Sequence, residues 1–580
     1  MATPGTFNSM SPLDSPGPMR QINPSICPIT GDITYIHQLT ASSQTDRVRM
    51  NWKTVHVLPV IFVPGIMGSN LCAVGQSDQS VWLPNSIPRM VADWLTKNAG
   101  YRQRLLHPDR TEVYTKGETP FWHVGALSTS REFEARGWGE VSAMSYKDFL
   151  IWLEVNLNGG GTRSNHATLN KVLQKVQNGT AWNAAKKYEP LTAEESGKAE
   201  LWHYPVHAFG YNWLDDNAKA AQKLGQRIDE VIQHYNQSGV CKQVILVTHS
   251  MGGLVARYCS ELNNDKLKHQ AMRDKIAGIV HGVMPAVGAA VAYRRCKVGM
   301  RDEDAGTSLV IGITGRGVTA VFAQAPGALQ LLPSRQYPVR NWLEVRDTDG
   351  NLLPDQPQTD DPYTGVYMVR DKWWGLVKEE WLKPKGGEPI VWRTFTNNID
   401  TASDFHTALA DNYHARTYGF YGSAPVDRKN QKIDHNSFSK ITWTLEPGDA
   451  RRDKATPSEK QIMAMGPNDV RQSGSNPLEV PGPDIQSLLP GSIEVTVDVP
   501  GTYFRLRLGG HNGSGDGTVP AESGRHPVNS SATDKIAQFF NIAGIDHEGA
   551  YGPIECKHLT VYAINKIAAP LTLPGKAQAA

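Results

Sequence analysis

Val244-Ile245-Leu246-Val247-Thr248-His249-Ser250-Met251-Gly252-Gly253-Leu254-Val255-Ala256-Arg257-Tyr258 reads as an apolar strand running into a helix, with Ser250 at the bend. This is the pattern of a nucleophile elbow, in which a serine occupies a strained strand-to-helix turn and small residues two positions either side let strand and helix pass closely. Gly252 and Gly253 provide that space on the helix side, whereas Thr248 stands where a G-x-S-x-G pattern wants glycine. The helix that follows turns its positive end toward the serine, and the backbone N–H of Met251 is placed to bind a developing oxyanion.

Working outward, Val57-Leu58-Pro59-Val60-Ile61-Phe62-Val63 has the composition of a buried strand and leads into Pro64-Gly65-Ile66-Met67-Gly68-Ser69. A glycine-bearing loop at the carboxyl end of a central strand is where an open α/β sheet places ligand contacts. The second oxyanion donor is therefore assigned to the Ile66 backbone N–H, against the plainer reading of Gly65 as a simple turn residue.

A serine hydroxyl is a poor nucleophile until a histidine takes its proton, and the imidazole needs an anion to fix its tautomer and stabilise its cation. Asp516, in the turn Gly513-Ser514-Gly515-Asp516-Gly517-Thr518-Val519-Pro520, is the candidate anion; a turn-forming or calcium-binding aspartate is the alternative, and Asp400 and Asp404 are the other candidates. The chain order that accompanies such an elbow is serine, acid, then histidine. His547 fits, because Gly544 to Gly549 is the loop leaving an apolar strand over Ala537 to Ile542. His558 precedes a helical stretch, His526 follows Asp516 too closely for another strand to intervene, and His281, at a strand end, reads as structural.

The chain of 580 residues is 40% hydrophobic and 20% charged, an ordinary globular balance. Lysine plus arginine (59) nearly equals aspartate plus glutamate (57), which argues against a nucleic-acid partner. Cys27, Cys72, Cys241, Cys259, Cys296 and Cys556 lack C-x-x-C spacing and read as buried thiols, with room for one disulfide but no framework. No apolar stretch has the length of a membrane span, and no basic-then-apolar secretory signal opens the sequence, so synthesis in the cytoplasm is expected.

Alternation of strand and helix predicts an α/β fold with a doubly wound, mostly parallel central sheet, helices on both faces and large cap insertions. Residues 1–51, rich in Pro, Ser, Thr and Gly, read as a flexible N-terminal segment, a tail or adaptor. Residues 52–285 form the first part of the core, with an insertion at about 70–200 that holds a helix over Ser145 to Leu157. Val206 to Trp213 reads as a strand, Asn217 to Tyr235 as a one-sided helix and Ile276 to Val283 as a strand. Residues 286–392 read as a cap or lid in which Trp373, Val377 and Trp381 share one face of a helix, facing either a lipid–water boundary or the core. Residues 393–580 complete the core, with a late strand over Ala415 to Gly422 and a polar insertion at about 427–491 around a strand at Ile441 to Leu445. A strand pair follows at Ile493 to Val499 and Tyr503 to Leu508.

Val63 to Ser69, Tyr211-Asn212-Trp213, Thr248 to Gly253, Leu331-Leu332-Pro333 and Gly515 to Pro520 resemble, in order, the lecithin:cholesterol acyltransferase and PGAP1-like branch of the α/β hydrolases. The resemblance covers islands between about residues 55 and 570; Thr248 departs from the usual glycine, and the polar region before Asp516 is longer than the family core requires. It implies hydrolysis of phospholipid or lipid-anchor esters by Ser250, Asp516 and His547, with no metal and no cofactor. The missing signal and Pro-rich head extend the similarity, by analogy, to bacterial phospholipase effectors exported by type VI secretion, which implies a membrane phospholipid substrate, a secretion-apparatus component and a cognate immunity protein. A small-ester carboxylesterase or a lipid acyltransferase is the alternative enzyme, and a non-catalytic binding module on the same fold is the alternative of another class.

Overall fold

Six runs of apolar residues lie side by side, and they are continuous rather than alternating because a sheet covered on both faces buries every side chain of its central strands. In the computed structural model these are β1 (Val60–Val63), β2 (Val206–Ala208), β3 (Val244–His249), β4 (Ile276–Gly282), β5 (Thr417–Ser423) and β6 (Ile536–Ala543). They form one parallel sheet in the order β2-β1-β3-β4-β5-β6. The structure describes residues 56–573 apart from 95–96, 122–129, 159–164, 237–239, 301–311, 313, 428–431, 434, 448–457, 474–495 and 499–503; before residue 56 it describes four short strands, within 20–22, 25–26, 33–34 and 48–50. Most of the expected adaptor segment, Cys27 included, lies outside the described residues.

Every residue of β1, β3 and β4 is buried. Leu246 packs on one face with Leu224, Ile228 and Val231 of α2 (Asn217–Tyr235), while Ile245 and Val247 pack on the other with Leu559, Ile564 and Ile567 of α6 (Ile554–Ala568). The first turn of α2 is capped by the Asp216 carboxylate, which accepts from the Ala218 N–H at 3.0 Å. Helix α1 (Ala143–Asn158), from the first insertion, adds Phe149, Leu150 and Leu153 to the second face. This is the α/β arrangement expected from the sequence. The described cysteines, Cys72, Cys241, Cys259, Cys296 and Cys556, are free and buried.

The first insertion also closes both borders of the sheet. At the β6 border a strap pairs with the strand: Ala185 N–H donates to the Phe539 carbonyl at 2.8 Å and Asn541 N–H to the Asn183 carbonyl at 3.1 Å. At the β2 border Ala208 N–H donates to the Arg136 carbonyl at 2.8 Å, and Val206 N–H to the Glu154 carboxylate at 2.9 Å. The expected strand from Val206 to Trp213 stops at Ala208, because further along side chains capture its amides: Gly210 N–H reaches Glu140 and Tyr211 N–H reaches Ser69.

The cap and the polar insertion share a second sheet, in which Leu343–Arg346 runs parallel to Ile441–Pro447 and Phe504–Leu508 antiparallel to it, with Thr496–Asp498 and Arg471–Ser473 beyond. The helix expected over Lys372 to Leu382 does not form; only a single tight turn, Glu379–Leu382, is helical. The buried Lys297 ammonium takes the carbonyls of Trp373 and Gly375, which a helix would have used, and the Trp373 N–H goes to the Met465 carbonyl. Trp373, Val377 and Trp381 are core residues, Trp373 meeting Trp443 edge-on at 5.6 Å, so of the two readings of this stripe the core one holds.

Arg136 and Glu154 form a fully buried ion pair at 3.1 Å beneath β2, where burial pushes the Glu154 carboxyl up. Removing one partner strands a charge. Arg136→Met is expected to destabilise the chain by about 3–5 kcal/mol, and Arg136→Met with Glu154→Gln by clearly less, as read from urea unfolding.

Candidate active site

Ser250 sits immediately after β3 with φ +51, a left-handed conformation that costs a non-glycine residue on the order of 1–3 kcal/mol. Its N–H donates to the Gly282 carbonyl at the end of β4 at 2.9 Å, and α3 (Gly252–Glu261) begins two residues later. The elbow is crowded: a Cβ on Gly252 would lie 2.4 Å from the carbonyl oxygens of Val63 and Pro64, and one on Gly253 2.7 Å from Met284. On the strand side Thr248 fits because its hydroxyl is used, lying 2.9 Å from Nδ1 of the buried His281. His281 therefore packs the elbow rather than serving as a base, and burial lowers its pKa to about 3. Its Nε2 has no partner among the described residues.

His547 lies in the loop after β6, with Nε2 2.9 Å from Ser250 Oγ and Nδ1 2.9 Å from Asp516 Oδ2. Both Ser250 and Asp516 are buried, while the imidazole keeps a small exposed edge. The Asp516 carboxylate is fixed by its own turn, Oδ1 accepting the N–H of Thr518 at 3.0 Å and of Val519 at 2.7 Å. The backbone repeats the link, since His547 N–H donates to the Asp516 carbonyl at 2.9 Å. Hydroxyl, imidazole and carboxylate thus stand in series. The other candidates do not join them: His558 lies in α6, His526 in the short helix His526–Asn529, and Asp400 and Asp404 in α5 (Trp392–Leu409).

The loop after β1 runs against the serine, for a Cβ on Gly65 would lie 2.9 Å from Ser250 Cβ. Among the described residues neither the Ile66 nor the Met251 N–H has a backbone acceptor, and Met251 directly follows Ser250 in the chain. Three side chains tether this loop: Tyr211 Oη donates to the Pro64 carbonyl at 2.9 Å, Trp82 Nε1 donates to the Met67 carbonyl at 2.9 Å, and Tyr146 Oη accepts the Gly65 N–H at 3.2 Å.

A cavity of about 550 Å³ opens over Ser250 and His547, with walls that include Met67, Met90, Met144, Met300, Phe322 and Leu331. Methionine-rich walls adapt to flexible apolar ligands. Arg295 of α4 (Ala290–Val298) is the one lysine or arginine among the described lining residues, and it donates to the Thr518 hydroxyl at 3.3 Å. No described group of His, Cys, Asp and Glu side chains is arranged to hold a metal ion. No described helix is long and apolar enough to cross a membrane.

Sequence reasoning passed over two residues here. Tyr146 of α1 and His249, which precedes the serine, hydrogen-bond at 2.9 Å, and His249 Nε2 lies 2.8 Å from the His547 carbonyl. His249 was visible within the elbow motif, but Tyr146 carries no local signal.

A serine elbow at the carboxyl end of a central parallel strand, with helices on both faces, defines the α/β-hydrolase fold. Residues 203–417 match the family described as lecithin:cholesterol acyltransferase, in agreement with the resemblance read from the motifs. Among solved structures, a chain of "The crystal structure of Tle4-Tli4 complex" is similar at 26% identity and a TM-score of 0.68, over 89% of this chain and 99% of that one. No curated protein matches the chain. With the fold, these similarities support an enzyme of the esterase and acyltransferase type.

The elbow's crowding has a measurable consequence. Gly252→Ala drives a methyl into two carbonyl oxygens and is expected to cost about 1–3 kcal/mol in denaturant unfolding. Thr248→Val leaves the His281 ring without its partner, for a similar loss of about 1–3 kcal/mol by the same measurement.

Proposed function

We propose that the chain is a serine hydrolase of (phospho)lipid carboxylic esters, of phospholipase A type. The observation that carries this reading is the Ser250–His547–Asp516 series, 2.9 Å at each step, on the floor of an apolar cavity. Ser250 Oγ attacks the ester carbonyl while His547 Nε2 takes its proton, and Asp516 holds the imidazole in the tautomer that leaves Nε2 free to accept. The Ile66 and Met251 amides receive the oxyanion, at the positive end of α3. His547 then returns the proton to the departing alcohol or lysophospholipid, and the acyl group stays on Ser250. Water activated by His547 releases the fatty acid and restores the serine.

The cavity walls suit an acyl chain, which needs apolar surface and conformational tolerance more than directional contacts. An alcohol in place of water at the second step would make the same site an acyltransferase, a reading favoured by the family match alone. A purely binding role leaves the buried carboxylate, the aligned imidazole and two unengaged amides without a use.

By the same resemblance, the chain acts as an antibacterial effector delivered by type VI secretion and is held in check by a cognate immunity protein. That the similar solved chain comes from a two-component complex supports a protein partner here.

Ser250→Ala is expected to abolish labelling by a fluorophosphonate probe and to lower ester hydrolysis by about four decades, with Asp516→Asn falling by about as much. Mass spectrometry of products from defined phospholipid vesicles separates free fatty acid plus lysophospholipid from a transferred acyl ester. A Ser250→Ala protein that hydrolyses ester at the wild-type rate rules the mechanism out.

A further inference from the structure

We propose that His249 and Tyr146 are positioning residues, and that the Nε2 proton of His249 holds the main chain of His547 in place. The proposal rests on the reading of Ser250, His547 and Asp516 as the reacting groups.

A carbonyl oxygen only accepts, so the 2.8 Å contact between His249 Nε2 and the His547 carbonyl puts a hydrogen on Nε2. His249 is buried, and desolvation, reinforced by the neighbouring His547, lowers its pKa to about 3. The ring therefore carries a single proton. Its Nδ1 is a bare acceptor, and the hydroxyl of Tyr146, 2.9 Å away, must be the donor. The same hydroxyl oxygen accepts the Gly65 N–H at 3.2 Å. Each donor in the series has one acceptor, and for a neutral ring no other assignment satisfies all three contacts.

The consequence lies at His547. Its peptide N–H is held by the Asp516 carbonyl at 2.9 Å, and its carbonyl by His249. The residue beside the nucleophile thus fixes the residue that takes the nucleophile's proton, and a helix of the first insertion fixes the tautomer that makes this bond. Neutrality matters as well, because the two rings have centroids 5.3 Å apart and a charged His249 would oppose the imidazolium that forms on His547. Losing the Tyr146 hydroxyl leaves Nδ1 without its donor and the ring held at one end only, which loosens its hold on the His547 carbonyl.

The full-length chain is assayed with a short soluble ester, p-nitrophenyl butyrate, and by its inactivation rate with a fluorophosphonate. Tyr146→Phe keeps the ring against Phe62 and His249 and removes only the hydroxyl. It is expected to lower kcat and the inactivation rate about tenfold, with KM within about twofold. His249→Leu is expected to lose about a hundredfold in kcat, as for a misplaced catalytic group. His249→Gln, whose amide N–H reaches the position of Nε2, recovers to within about threefold of wild type. Wild-type kcat in Tyr146→Phe, a loss confined to KM, or a Gln variant no better than Leu at equal melting temperature overturns the proposal. Should His249→Leu fail to fold, Tyr146→Phe decides alone. A wild-type protein that neither labels nor hydrolyses ester refutes the underlying triad reading instead.

Discussion

The passage of α3 beneath the end of β1 is the constraint on which the rest of the molecule depends. Gly252 lies so close to the carbonyls of Val63 and Pro64 that no side chain fits between them. Only with that gap closed can the chain reverse at Ser250 through a left-handed residue, and only then does the hydroxyl stand above the sheet. The strain at Ser250 is held by the framework: its N–H is anchored to β4, and the strand before it is buried along its whole length between β1 and β4. A conformation that a free peptide avoids becomes the cheapest one available once three strands and a helix are packed.

From that fixed point the remaining groups are located by short, directional bonds rather than by bulk packing. Asp516 is set by its own turn, His547 by Asp516 and His249, and the Gly65 loop by Tyr146, Tyr211 and Trp82. Several of these groups are buried histidines and tyrosines that burial keeps uncharged, so they orient their neighbours without adding competing charge. In the proposed reaction the charge pair develops in a low-dielectric cleft, where fixed dipoles act most strongly.

Much of this was legible in the sequence because it is encoded locally. The elbow, the glycine loop after β1, the Asp516 turn and the His547 loop each announce themselves within about ten residues by apolar runs and glycines. Residues meeting across the fold left no such trace. Tyr146 lies in an insertion with no motif, and its partner is 103 positions away. The Lys372 to Leu382 stretch has helical spacing, yet Lys297, far upstream, claims its carbonyls. Strand β2 ends early because Glu140 and Ser69, neither predictable as a partner, take the amides that follow it. The tryptophan stripe carried a true signal for burial and no information about what it would be buried against.

The strap along β6 has a consequence beyond local stability. An outermost strand with bare amides and carbonyls is a template on which another polypeptide can extend the sheet, and parallel sheets assembled from distant segments expose such templates for longest during folding. Here Asn183 and Ala185 occupy the hydrogen-bonding rim of the strand that leads into the His547 loop, and the Lys186 ammonium adds a charge there, bound to the Thr533 and Ile536 carbonyls. With Arg136 and Glu154 taking the Ala208 and Val206 amides at the opposite rim, both outer strands of the sheet carry partners from the first insertion. A chain in which Ser250 and His547 must meet across 297 positions is thereby guarded against edge-to-edge aggregation by the same insertion that walls its cleft.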